Sequence, residues 1–591
     1  MPNIIIREID ETVPSAAVSE ITDIAFIPGV ADTNNNCYIV ATADGAPTNG
    51  TTLGTKAELK DGAYLFDYNT KTTSGNPQYF VNTALKKVWV CTDESKKTWV
   101  AQTTYVAPHP ENTPVVCYSL ADFEENFGSL PYKFTEDQYY PTFAETAKVN
   151  GTKIYNDGDF EKSYIIAREL IGRGLPVMYA NIVNRGTDGK KATPTVSDIY
   201  ACIEKYYTKP TFTDGGDEPA NYDLYLGDRG TYSVKYLTSG AYPTFELLGG
   251  ASTEETTETL KCGANGVATL LKAPAVSVSA VKKGNSPLST TDYTFDKEAG
   301  TITIKTYDNM ATYSATYAYA TPDFTNLTKN MVATAKDRGD AVAIIDYANA
   351  PTRALYGNGS VYAAVNSTPI ADGEYAAMFT PWAMYETIRE RNDMTATTQL
   401  LPPSFGYLNA LAQSIKTNDN WLAIAGVARG YVPQILALNT VNALSNTIAD
   451  LYQPKTGVSI NAITNVRPYG LTIYANRTLK DNKSFGKLSA LSSLNIRNMV
   501  SDIKKTVYAT AKRLVFEQNT DVLWVNFKAG ITGILDKMIT GNGIESYKIT
   551  REQSGTKEKV KATIKIVPIR PVEDFEIDIV LTDSTVEVTT A

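Results

Sequence analysis

Histidine is the side chain best suited to moving protons near neutrality, and this 591-residue chain holds one, His109. It stands between Pro108 and Pro110, a context that points to an exposed loop and not to an ordered general base, so a Ser-His-Asp relay is not expected. Cysteines stand at 37, 91, 117, 202 and 262. Their number is odd and none forms a CxxC pair, so no zinc site of the usual Cys/His type is expected, and a reducing compartment is the simpler reading. Gly486-Lys487 has the end of a phosphate loop, but Asp481 replaces the first glycine and Leu488 the magnesium-binding Ser or Thr. Gly426 and Gly430 lack dinucleotide-loop spacing. Paired carboxylates of the glycosidase kind stay open, because 64 acidic residues do not reveal which are neighbours in space. The inventory therefore gives no catalytic residue, no cofactor and no metal ligand.

The elements that would have to position any site come next. The length suggests about three or four domains, and 43% apolar with 20% charged residues is ordinary for globular cores. A net charge of −9 argues against a nucleic-acid binder, while leaving room for a local basic strip facing an acidic partner. The start, MPNIIIREIDETVP, has acids where a signal peptide needs a basic end, and the longest apolar run, WLAIAGVA (421–428), is far short of the ~20 residues of a membrane helix. A soluble, non-secreted protein without a membrane-spanning segment is expected.

Ile4, Ile5 and Ile6, followed by Ile9, form a short apolar strand that is either an edge of its own domain or a strand given to a neighbour. Residues 21–31 read as a buried strand ending at a Pro-Gly turn. Residues 41–114 are Thr/Gly/Asn-rich with short strands, an inserted β-rich module in which Trp89 and Trp99 read as core anchors, with a sugar-binding platform as the alternative. Helical periodicity at 120–128 and 160–171, the latter closed by Gly172, precedes a strand at 176–183, which suggests an α/β layer. Within 250–321, DYTFD, TITIKTY and TYSATYAYA alternate with period two, and Tyr313, Tyr317 and Tyr319 share one face. This is a small sandwich or barrel. A helix near 327–338, a strand at 341–347 and a helix near 408–416 restore the α/β texture. Helix 499–517 is capped by Ser501 or Asp502, with Ile503, Val507, Ala511 and Leu514 as its apolar stripe. At the end of the chain Phe575, Ile577, Ile579 and Leu581 alternate with polar residues, and Val586 and Val588 follow in TVEV.

Several segments stand in an order that resembles the contractile tail sheath family, the outer sleeve of myovirus tails and related injection machines. They are PGVA (28–31), FEKSYIIARELIGRGLPVMYANIV (160–183), RGDAVAIIDY (338–347) and AAMFTPWAMY (376–385). LLPPSFGYLNALAQSIKTNDNWLAIAG (400–426) follows, with a Pro-Pro-Ser turn, a small-residue helix and a Trp strand. INAITNVRPYGLTIYANRTL (460–479), read as a turn, a bulged strand and an Arg-Thr exit, and VFEQN (515–519) complete the series. The likeness covers about 1–40, 115–245 and 325–591. AGVARG (425–430) departs from the Trp-x-Ala-Pro-Ala-Asn texture usual there.

The resemblance implies a multi-domain α/β (α+β) fold with a discontinuous C-terminal core and inserted, outward-facing β-rich domains. Its boundaries are a 1–20 arm, a 21–40 core strand, a 41–114 insertion, 115–249 N-terminal α/β, a 250–321 insertion, a 322–572 core and a 573–591 arm. It also implies that both arms leave the subunit and complete a sheet on neighbours through Ile4–Ile6, Ile9, Phe575, Ile577, Ile579, Leu581, Val586 and Val588. The implied partners are further copies in stacked hexameric rings, an inner tail tube, and baseplate and terminator proteins, in a virion assembled in a host cytoplasm. The chain itself offers Lys505 and Lys512, seven residues apart, with Lys504 and Arg513 adjacent, as either a solvated helix face or a grip on an acidic tube. A tail sheath is the leading reading, phage or tailocin alike. A surface adhesin is the alternative that the 37 tyrosines and Thr-rich loops keep open, and a carboxylate hydrolase is a more distant one.

Overall fold

The computed structural model describes residues 23–29, 37–40, 78–82, 87–93, 98–101, 112–127, 147–149, 152–154, 159–182, 196–209, 221–241, 245–246, 253–271, 275–296, 300–320, 323–347, 365, 370–387, 397–439, 458–482, 488–552 and 558–571. The two arms, with Ile4, Ile5, Ile6, Ile9, Phe575, Ile577, Ile579, Leu581, Val586 and Val588, lie outside these.

Short runs of unbroken apolar residues are what a strand covered on both faces needs. Eight strands form one sheet: β1 (Ile24–Gly29), β2 (Val115–Cys117), β3 (Val177–Asn181), β4 (Val234–Leu237), β5 (Val342–Asp346), β6 (Ala376–Thr380), β7 (Asn461–Val466) and β8 (Gly470–Ile473). Their spatial order is β8-β7-β6-β5-β4-β1-β3-β2. The six from β7 to β3 run parallel, and β8 and β2 close the edges antiparallel. Helices cover both faces, as a doubly wound sheet requires. They are α1 (Leu120–Phe127), α2 (Asp159–Gly172), α3 (Val196–Tyr207), α4 (Asn326–Arg338) and α5 (Pro403–Ser414). One core joins Phe26, Met178 and Ile345 to Tyr207 and Met331. The other joins Ile27, Tyr179 and Ile344 to Phe123, Leu170 and Leu408.

The crevice where strand order reverses, between β1 and β4, is where such sheets usually hold ligands. Here the chain fills it. Gly240 lies at φ +74°, and a Cβ there would sit 2.2 Å from the Pro28 carbonyl oxygen and 2.4 Å from Ser163 Oγ. Thr238 Oγ1 donates to the Phe26 carbonyl at 2.8 Å, and the Ala241 N–H to Ser163 Oγ at 2.9 Å.

Residues expected in separate N- and C-terminal units share this sheet, because β1–β4 and β5–β8 meet side by side at β4–β5. What separates them in sequence is a sandwich. A four-stranded sheet ordered Thr253–Leu260, Tyr313–Ala320, Ala275–Lys283, Ser286–Pro287 faces a three-stranded one ordered Val267–Thr269, Thr301–Ile304, Tyr293–Asp296. Val281, Ile302, Tyr313 and Tyr317 fill the space between, with Tyr319 partly buried on the same side. At its base Phe245–Glu246 pairs antiparallel with Asp323–Phe324. A second small sheet joins Cys37–Val40, Gln78–Asn82, Lys87–Asp93 and Thr98–Ala101, with Trp89 buried.

Helix α6 (Leu494–Leu514), helix α7 (Asp521–Thr540) and the hairpin of β9 (Ile544–Glu552) and β10 (Lys561–Pro568) follow, around Ile503, Val507, Ile531, Leu535 and Met538. Several local expectations are corrected. Helix α6 starts at Leu494, with Ser493 at its N-cap, because apolar periodicity already runs through Ile496 and Met499; Ser501 and Asp502 are buried in mid-helix. Helix α5 starts at Pro403, five residues before 408, since proline is accommodated in a first turn. Residues 461–473 are two antiparallel strands around a turn and not one bulged strand. Trp421 lies in a turn, where its Nε1–H donates to the Gly541 carbonyl at 3.0 Å, and not in a strand.

Candidate assembly interface

The polar groups that matter most converge where α6 lies against the sheet. Lys235, on the central strand β4, is fully buried, with its Nζ 2.9 Å from Asp23 Oδ1 and 2.8 Å from Asp502 Oδ1. The Tyr236 hydroxyl donates to the same Asp23 oxygen at 3.2 Å. One turn on from Asp502, Lys505 Nζ donates to the Ser233 carbonyl at 2.7 Å and to Ser233 Oγ at 3.1 Å. Arg338 pairs with Asp340 at 3.0 Å and donates to the carbonyls of Leu226 and Tyr232. Arg497 donates to the Gly339 carbonyl at 3.1 Å, with its guanidinium 4.3 Å from the centroid of the Tyr375 ring. Buried charges persist only when paired and hydrogen-bonded. This network therefore fixes α6 to the sheet at the root of β1.

The electrostatics follow from that packing. Burial alone would lower the Lys235 ammonium, but the two carboxylates more than reverse it and raise its pKa. Burial pushes Asp23 up, and the attraction of Lys235 overrides this and holds it below the usual range. Burial holds Asp502 above that range, an effect Lys235 only partly answers and Asp23 reinforces. Burial brings Lys505 down to about 7, against the pull of Asp340 and with help from Arg338 and Lys235. A further buried acid, Asp346 at the end of β5, is pushed up to about 7 by burial, although the Ser404 N–H at the start of α5 donates to it at 2.6 Å.

Of the four cations proposed for a tube contact, the structure removes one. Lys505 is 6% exposed, because the 226–234 segment packs over the face it shares with Lys512. Lys504 is half-buried, with its ammonium 5.8 Å from the centroid of the Tyr375 ring, while Lys512 and Arg513 are exposed on the last turn of α6. Two further features went unread in the sequence. Between residues 494 and 570, fourteen lysines and arginines face seven aspartates and glutamates, a net +7 against −9 for the whole chain, so the remainder carries −16. A windowed charge count would have found this.

The second feature is the turn between α6 and α7. Val515 has φ −66°, ψ 135°, Phe516 has φ +73°, and the Glu517 N–H donates to the Leu514 carbonyl at 3.2 Å. These are the angles of a type II β-turn, whose third position favours Gly or Asn. Phe516 occupies it, 84% exposed, and Val522 and Val525 at the start of α7 are 67% and 61% exposed. Arg551 on β9 reaches the entry to α7, bonding Asp521 and Asn519 at 2.9 Å each, with its guanidinium 5.9 Å from the centroid of the Trp524 ring. Among the described residues no group of His, Cys, Asp and Glu could hold a metal ion, and no helix is long and apolar enough to cross a membrane.

No protein-family model matches the sequence. The tail sheath protein of Vibrio phage KVP40 is 20% identical over 223 residues, 36% of this chain and 30% of that protein. The resemblance is to contractile tail sheath proteins. The chain spans about 30% of the length of this curated relative. Among solved structures, the PVC sheath complex of an extracellular contractile injection system, in its contracted state, is similar at 17% identity and a TM-score of 0.35, over 43% of this chain and 68% of that one. The helical sheath of the anti-feeding prophage in its contracted state gives 16% and 0.32, over 43% and 65%. The described residues of this chain have a mixed α/β architecture.

Proposed function

We propose that this chain is the repeating subunit of a contractile sheath. Copies polymerise as a helical sleeve of stacked hexameric rings around an inner tail tube, bounded by baseplate and terminator proteins. The sleeve then contracts to drive the tube through a cell envelope. The likeness to a phage tail sheath protein carries this reading. The β9–β10 hairpin supports it, because a two-stranded sheet is marginal alone and, among the described residues, no third strand pairs with either edge. The strand patterns at Ile4–Ile6 and Phe575–Leu581 supply suitable donors. In this reading main-chain hydrogen bonds give affinity, the alternating apolar residues set register, and head-to-tail donation propagates into an open helix.

The tube contact is electrostatic and weak enough to slide, through Lys504, Lys512 and Arg513. Contraction draws its energy from subunit surface that is buried only in the contracted lattice, a state kinetically blocked until the baseplate releases it. Negative-stain electron microscopy of the purified chain tests the core claim: long, hollow, striated tubes are expected. Monomers at every salt and protein concentration, with and without tube, would overturn it.

A further inference from the structure

The outward face of the β9–β10 hairpin carries a facing pair of like charges. Alternate residues of a strand point to opposite sides of its sheet. Tyr547, Ile549, Ile564 and Ile566 turn towards α6 and α7 and pack on their core. The other side sets Ser546 against Val567, Lys548 against Lys565, Thr550 against Thr563 and Glu552 against Lys561. Glu552, the one acid among these eight residues, is already engaged by Lys561 and Thr563. Lys548 and Lys565 are both exposed, and neither has an ion-pair partner among the described residues. Like charges directly opposite each other in a sheet are destabilising. The hairpin therefore keeps a local cost that an acidic neighbouring strand would turn into attraction.

We propose that Lys548 and Lys565 receive the acidic face of the C-terminal segment of a second copy of this chain. Transfer between copies rests on the sleeve reading, whereas the charge match stands on the two faces themselves. Read as a strand, residues 574–581 put Phe575, Ile577, Ile579 and Leu581 on one side and Asp574, Glu576 and Asp578 on the other. Added to either edge of the hairpin, such a strand lays its apolar side beside Ile549 and Ile564 and its acids beside the two lysines. Both faces ask for the same register. A slip of one residue would turn the acids towards the α6–α7 core and the apolar groups towards the lysines. The N-terminal strand is no rival here, because opposite Ile4 and Ile6 it carries Asn3, Ile5 and Arg7. The course of the chain points to a second copy and not to the same one. Beyond β10 the Ile569 N–H donates to the Gly543 carbonyl at 3.0 Å, and Arg570 Nη1 to the Leu488 carbonyl at 3.3 Å. Through residue 570 the backbone thus continues away from the hairpin loop instead of turning back along its edge.

A charge swap in the full chain tests this. Lys548→Glu with Lys565→Glu should raise the concentration at which polymer appears about tenfold, and Glu576→Lys with Asp578→Lys should do the same. All four substitutions together should bring it back towards the wild-type value. Polymer at the wild-type concentration from either pair alone, or no recovery in the fourfold variant, overturns the charge match and leaves the sleeve standing. Lys548→Gln with Lys565→Gln separates docking from folding. It removes the repulsion within the hairpin, so the unassembled subunit's melting temperature should hold or rise while polymer still needs a higher concentration. A lower melting temperature with unchanged polymer would mean that the lysines serve only their own subunit, and would overturn the proposal. A labelled peptide spanning residues 572–583 gives a readout that needs no tubes. It should bind the wild-type chain and lose that binding to the Lys548→Glu, Lys565→Glu variant. Such binding to a chain that never forms tubes would keep the charge match and overturn the sleeve.

Discussion

Lys505 shows how one side chain can be legible in type and spacing and still be misplaced. Its seven-residue separation from Lys512 puts both on one helical face, and that much is written in the sequence. What covers the face is not, because Ser233 comes from a segment 272 residues earlier. Burial has a pH signature whose sign can be worked out. The folded pKa, about 7, lies below the free lysine value of 10.5, so between these limits the unfolded chain binds more protons than the folded one. Stability from this group therefore rises as pH climbs from 7 towards 10.5, by up to about 1.4 kcal/mol per pH unit. Lys505→Met should flatten that rise in urea titrations of the unassembled subunit at pH 7, 8 and 9. An unchanged slope would mean the ammonium is solvated. Asp346 is the opposite case: its position as the acid ending a strand is readable, while its burial depends on Ser404 and the start of α5.

Among elements, apolar periodicity located α1, α2, α4, β1, β3 and β5, missed α3, β4 and the β9–β10 hairpin, and failed where a boundary depends on partners distant in sequence. Helix α6 runs back to Leu494 because its first turn is buried, the Asn495 side chain donating to the Trp421 carbonyl at 3.1 Å. Trp421 reads as a strand residue, yet it closes the end of α7 through Gly541, a contact across 120 residues. The α6–α7–hairpin unit has its own core, and Ile531 is at its centre with no exposure. Ile531→Ala should cost about 2–5 kcal/mol, the range for emptying a packed site. Hydrogen exchange would locate the loss: amides of α7 and β9 should lose protection first, while β1 and β5 keep theirs. Equal loss throughout would mean that the unit and the central sheet unfold as one.

For the whole molecule, the alternation of helix and strand texture foretold an α/β fold, but not that both halves of the chain build a single sheet. Pairing of β4 with β5 spans more than a hundred residues, and no local pattern encodes it. Assembly is the scale at which the terminal segments should act. Deleting residues 1–12 or 573–591 is expected to leave a folded monomer, by circular dichroism and sedimentation, that makes no tubes; normal tubes from either truncation would retire strand exchange. Reversing charge at Lys512 and Arg513 together should abolish assembly on a tube while sparing tube-free polymer, and unchanged templating would remove these cations from the contact.

The short pairing of Phe245–Glu246 with Asp323–Phe324 has a practical consequence. Facing residues in an antiparallel pair stand only about 5 Å apart, so the two chain ends beneath the sandwich are already a hairpin's width from each other. A tight turn could join them in place of everything between, or a foreign domain with neighbouring termini could be spliced there. In a helical polymer that graft would repeat once per subunit, turning the particle into a regular scaffold for displaying antigens or enzymes at high density.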